Sequence, residues 1–98
     1  MLENVRIDDA EKKALLYAID AVTDEVYLFG SRLDMNKRGG DIDMLIYSNK
    51  NSLRLSQKVA RKFFMMCEEN IDVLVFNKNT LIDEQKSFIN TLRLMRIK

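Results

Sequence analysis

The chain has 98 residues, 47% of them apolar and 32% charged, with a net charge of +1; this fits one globular domain, residues 1–98, and excludes a disordered chain. It has no histidine and one cysteine, Cys67, which excludes Ser-His-Asp and Cys-His chemistry, a disulfide framework and the usual structural zinc sites. Carboxylates, Lys, Arg, Ser and Tyr remain for chemistry, and paired carboxylates select hard cations such as magnesium.

Asp8-Asp9-Ala10-Glu11 opens the first element, with Asp8 as a helix cap and Glu11 at the reciprocal capping-box position. Ala10, Ala14, Leu15, Ala18, Ala21 and Val22 recur at helical spacing and predict an amphipathic helix over 9–22, with Tyr17 packing near its apolar face. Val26 to Phe29 predicts a strand ending at Gly30, and residues 31–40 link it to a second strand over 41–47. That link is short for a parallel crossover, so the two strands are expected to run antiparallel, with the end of the first beside the start of the second. Residues 51–69 predict the longest helix, with Val59, Ala60, Phe63, Met66 and Cys67 inward and Arg54, Lys58, Arg61 and Lys62 outward. A helix between the second strand and a third, 71–76, is the connection that parallel strands require. Thr80-Leu81-Ile82-Asp83 predicts a second capping-box start and a last helix with Leu81, Gln85, Phe88, Ile89 and Leu92 in register. The tail, Arg93 to Lys98, alternates basic and apolar residues and fits an edge strand, a helix extension or a partner-binding segment. No apolar run approaches the roughly 20 residues of a membrane-spanning helix, and residues 1–4 lack a signal-peptide pattern, so a cytoplasmic protein is expected.

Chemistry concentrates between the first two strands, in Leu28-Phe29-Gly30-Ser31-Arg32, then Lys37-Arg38-Gly39-Gly40, then Asp41-Ile42-Asp43. Gly30 removes a side chain where a phosphate must approach the backbone, and Ser31 offers that phosphate a hydroxyl and an N–H. Asp41 and Asp43 share one strand face because side chains alternate with period two. Parallel second and third strands would bring Asp72 beside them. Three carboxylates so placed repel one another, and a divalent cation offsets that. The plainer alternative makes these aspartates solvated strand ends or ion-pair partners of Lys37 and Arg38, themselves read first as an exposed loop. Gly39-Gly40 either aims Asp41 into the site or forms a mobile loop. Residues 1–25 hold three Lys or Arg against seven Asp or Glu, a net −4, which leaves +5 for residues 26–98. A mildly basic site half suits a nucleotide triphosphate and is too weak for a nucleic-acid groove, so neither nucleic acid nor membrane is an expected partner.

The stretch FGSRLDMNKRGGDIDMLI, followed by Asp72 within Asn70-Ile71-Asp72-Val73-Leu74-Val75, resembles the signature of the DNA polymerase β nucleotidyltransferase superfamily, in its minimal nucleotidyltransferase (MNT) branch. The resemblance implies an α/β (α+β) nucleotidyltransferase fold, a small mixed sheet packed with helices in the order α-β-α-β-α-β-α. It implies magnesium-dependent transfer of AMP from ATP, with Asp41, Asp43 and Asp72 as catalytic residues and ligands of two Mg2+ ions. Gly30, Ser31 and Arg32 would contact the nucleotide phosphates, and Asp72 would help take a proton from the acceptor hydroxyl. The chain has no room for an acceptor-binding domain. In the MNT branch the usual partner is a small helical HEPN toxin, modified on a tyrosine, and a chain without histidine reads as the antitoxin half of such a pair. The alternatives are a catalytically silent antitoxin that neutralises its partner by binding, and a transferase acting on a small-molecule acceptor. Three clustered carboxylates favour the active enzyme, since a covering surface does not need them.

Overall fold

The structure, a computed structural model, describes residues 2–98. Its first helix begins as the sequence predicts: the Glu11 N–H donates to Asp8 Oδ1 at 2.7 Å and the Asp8 N–H donates to Glu11 Oε1 at 3.0 Å. This helix, α1, covers Asp9–Ile19 and is shorter than the predicted 9–22. The chain leaves it in a tight turn, in which the Val22 N–H reaches the Ile19 carbonyl at 3.0 Å. Ala14, Leu15, Ala18 and Ile19 are buried, whereas Tyr17 is 43% exposed and lies outside the core.

Strand β1 (Glu25–Phe29) runs antiparallel to β2 (Ile42–Tyr47), and β2 runs parallel to β3 (Ile71–Phe76) through the crossover helix α2 (Ser52–Cys67). Both orientations follow the connection lengths. Helix α3 (Asp83–Asn90) and a short strand β4 (Met95–Arg96) complete a mixed four-stranded sheet of order β3-β2-β1-β4 with three helices, an α+β fold. The expected order α-β-α-β-α-β-α needs two corrections. Only one 3-10 turn, Ser31–Leu33, lies between β1 and β2, and the last element is a strand. Helix α3 also starts later than Thr80: the Gln85 side chain accepts from the Ile82 N–H at 3.1 Å, and Thr80 closes a 3-10 turn.

Helices α1 and α2 cover one sheet face. Val26, Leu28, Ile42, Met44 and Ile46 are buried there in one cluster with Leu15, Ala18, Val59 and Phe63. Met66, expected inward, is 51% exposed, in the last turn before Glu68 leaves the helix at a φ of 57°. The alternate residues of the strands form the second face, where Phe29 and Leu45 are buried and Phe88 of α3 meets Phe29 edge-on, with ring centroids 6.3 Å apart. Alternation places Asp43 and Asp72 on this second face. No described helix is long and apolar enough to cross a membrane.

Of the three readings of the tail, the edge strand holds. The Ile97 N–H donates to the Val26 carbonyl at 2.8 Å, the Val26 N–H donates to the Lys98 carbonyl at 3.0 Å, and Ile97 is 5% exposed. Lys98 Nζ donates to the carbonyls of Ile19 and Asp20, at 2.7 and 2.9 Å, where α1 ends. Deleting residues 94–98 is therefore expected to cost about 4 kcal/mol, from a buried isoleucine and several hydrogen bonds. Urea titration of the truncated chain checks this, and an unchanged midpoint would return the tail to a purely partner-binding role.

Candidate active site

Strand register assembles the site. Asp43 stands opposite Phe29 on β1 and opposite Asp72 on β3, so Gly30 follows directly beside the Asp43–Asp72 pair. Asp41 lies one residue before β2 and is exposed, Asp43 is half-buried, and Asp72 is exposed. Burial pushes the Asp43 carboxyl above its ordinary value, and the charges of Asp72 and Asp41 push it the same way. Gly30 has a φ of +85° and a ψ of −159°, a conformation essentially restricted to glycine. A Cβ there would collide with the Asp43 carboxylate. Gly40, at a φ of +83°, has the same relation to Ser31, whose hydroxyl fills the space a Cβ would need. The two glycines thus let the Gly-Ser turn and the approach to β2 close onto the aspartates.

Arg32 departs from its expected role. Its guanidinium grips Glu11 at both oxygens, at 3.1 and 2.8 Å, and donates to the carbonyls of Arg6 and Gly40 at 2.6 and 2.8 Å. Four of its five N–H groups are thereby used, and its side chain is 12% exposed, so it braces the loop instead of reaching toward a phosphate. Sequence reading missed its counterpart, Arg6. That side chain donates to the carbonyls of Asp34 at 2.7 Å, Ser31 at 2.9 Å and Gly39 at 3.0 Å. Two arginines therefore clamp both ends of the 31–40 segment. Lys37 and Arg38 remain exposed, in keeping with the loop reading.

Among the described residues, the carboxylates of Asp8, Glu11 and Glu69 come within 4.8 Å of one another and could hold a metal ion; Asp41, Asp43 and Asp72 do not form such a group. The sequence pointed to the second set and gave no sign of the first, because Glu69 lies just beyond the far end of α2, 58 positions from Glu11. In the first set a cation is already supplied by Arg32, which holds the Glu11 carboxyl well below its usual 4.5, at about 2. Glu69 is shifted upward by the Glu11 carboxyl beside it. A depressed Glu11 stabilises the fold fully above about pH 4.5, and that contribution is lost as pH falls through about 2. Glu69 works in the opposite sense and reduces the net effect. Glu11→Gln is expected to cost about 2 kcal/mol at pH 7, with the deficit shrinking toward pH 3. Urea melts of both proteins at the two pH values check this; a deficit independent of pH would remove the Glu11–Arg32 charge pair as its source.

A cavity of about 600 Å³ opens beside Gly30, bordered by Asn4, Asp34, Asn36 and Arg93. Its size is within the range of small-molecule sites. Arg93, read only as part of the tail, brings a cation to its edge. The chain matches no protein-family model and no curated protein.

Proposed function

We propose that the protein is a magnesium-dependent nucleotidyltransferase that moves AMP from ATP to a hydroxyl of a partner protein. The observation that carries this reading is the in-register pairing of Asp43 with Asp72 beside the Gly30 turn, with Asp41 at the entrance to the same strand. The α+β fold is compatible with it. The donor set fits the metal in kind, since it consists only of hard oxygen ligands, while a bound ion would have to draw the three carboxylates closer together; burial and the neighbouring carboxylates disfavour the charged form of Asp43 in a way that a divalent cation would reverse. Asp41, Asp43 and Asp72 would hold two magnesium ions, which when bound supply charge stabilisation for the attacking and leaving oxygens. Gly30 and Ser31 would present backbone and hydroxyl donors to the β- and γ-phosphates, and Arg6 and Arg32 would keep that loop in place. The acceptor oxygen attacks the α-phosphorus, the bond to pyrophosphate breaks, and Asp72 takes the acceptor proton. The resemblance to the MNT branch adds the acceptor: a tyrosine of a helical HEPN toxin, for which this chain would be the antitoxin.

Intact-mass spectrometry of a pulled-down partner, incubated with the protein, magnesium and ATP, tests the reading. A gain of one or more AMP units, absent with Asp41→Asn/Asp43→Asn, is the expected result. A tight complex with no mass gain under any nucleotide would replace it with the silent, binding-only antitoxin.

A further inference from the structure

Strand register extends the candidate site one strand beyond the aspartates. The sheet order is β3-β2-β1-β4, with Asp72 on β3, Asp43 on β2 and Gly30 just past the end of β1. On the outer side of β1, Leu28 pairs with Met95 of β4 in antiparallel register. Two residues onward from Leu28 and two back from Met95 bring Gly30 and Arg93 to the same end of the sheet, and both border the cavity of about 600 Å³. That end of the sheet therefore runs carboxylate, carboxylate, glycine, arginine. Arg93 is the one cation among the described residues of the cavity wall. It is exposed and makes no hydrogen bond, ion pair or ring contact within the described chain. The two arginines beside the Gly-Ser turn are already committed, Arg6 to loop carbonyls and Arg32 to Glu11 and the carbonyls of Arg6 and Gly40.

We infer that Arg93 holds the terminal phosphate of the nucleoside triphosphate, the role that Arg32 cannot take, and so selects a triphosphate over a diphosphate. The inference rests on the proposed transfer reaction, which needs the α-phosphorus at Asp43 and Asp72. Neighbouring strands lie about 5 Å apart, so the Arg93 position is about 10 Å from Asp43. Two further phosphates and the long arginine side chain close that distance, and between them Gly30 leaves the backbone bare. The cavity wall also carries Asp34, whose Oδ1 accepts from the Asn36 N–H at 3.0 Å. A carboxylate there opposes an anion, so Arg93 and Asp34 act on a phosphate tail in opposite senses. A neutral nucleoside in the same cavity would hydrogen-bond to either group and lose affinity with both. This difference in sign identifies the occupant.

Isothermal titration calorimetry of ATP and of ADP in magnesium buffer, without an acceptor, tests the inference. Arg93→Ala is expected to weaken ATP about tenfold or more, the loss of a charge-assisted hydrogen bond, and to leave ADP nearly unchanged. Arg93→Lys should recover part of the loss, and Asp34→Asn should tighten ATP. Because Arg93 is exposed and unpaired, Arg93→Ala should keep the wild-type melting temperature without nucleotide. ATP binding that is weakened by Asp43→Asn and untouched by Arg93→Ala would overturn the inference alone. So would equal losses for ATP and ADP, or weaker ATP binding with Asp34→Asn, since the cavity would then hold the nucleoside. A wild-type protein that binds neither nucleotide would overturn the transfer reading and the inference with it.

Discussion

Asp43→Asn is expected to abolish nucleotide transfer while leaving the protein at least as stable as the wild type. Removing even an outer-shell partner of a metal ligand typically costs about 10- to 100-fold, so loss of a carboxylate proposed to hold the cation itself should exceed about 100-fold. The stability effect runs the other way. Burial and the charge of Asp72 raise the folded-state pKa of Asp43, so its contribution to stability is full below the ordinary 3.8 and is lost as pH rises through the raised value. Asparagine removes that charge with little change of shape. Without magnesium, the variant should melt at or above the wild-type temperature at pH 7, with the difference closing toward pH 4. With magnesium the order should reverse, because a ligand bound only by the folded state raises the melting temperature by mass action. Paired melts with and without magnesium, alongside the transfer assay, read both effects. A variant that retains activity, or gains as much stability from magnesium as the wild type, would remove Asp43 from the metal site.

The parts of the site that could be read from the sequence are those set by strand geometry. Period-two alternation put Asp41 and Asp43 on one face, and the length of α2 required β2 and β3 to run parallel; together these gave the Asp43–Asp72 juxtaposition. The Asp8–Glu11 cap was legible because its partners are three residues apart. What escaped depends on side chains that reach far along the chain to groups without sequence signatures. Arg6 bonds the carbonyls of residues 25 to 33 positions away, and a carbonyl acceptor is the same at every residue. Arg32 follows a Gly-Ser pair and so looked like a phosphate ligand; Glu11, presented by the first turn of α1, competes for it and wins at both oxygens. Strand β4 has only two residues, too few for a periodic pattern, and its fixed point is the single buried side chain of Ile97. Local propensity is silent on such contacts because their energy comes from tertiary packing.

Gly30→Ala should be the most damaging single-methyl change in the site, and its cost should depend on Asp43. Two effects add. The backbone at Gly30 lies in a region that costs a residue with a Cβ about 1–3 kcal/mol, and the added methyl would overlap the Asp43 carboxylate, which must move or push the turn away from β2. Together they are expected to destabilise the protein by about 3 kcal/mol and to eliminate transfer, since either response separates the Gly-Ser turn from the aspartates. A double-mutant cycle separates the causes. In an Asp43→Ala background the collision partner is gone while the backbone cost remains, so Gly30→Ala should then cost at least about 1 kcal/mol less than in the wild type. Additive costs in the cycle would mean that Gly30 is needed only for its dihedral angles. A strong coupling would tie the glycine to the carboxylate itself: a conformation only glycine adopts, held open so that Asp43 can stand directly against the turn proposed to receive the phosphates.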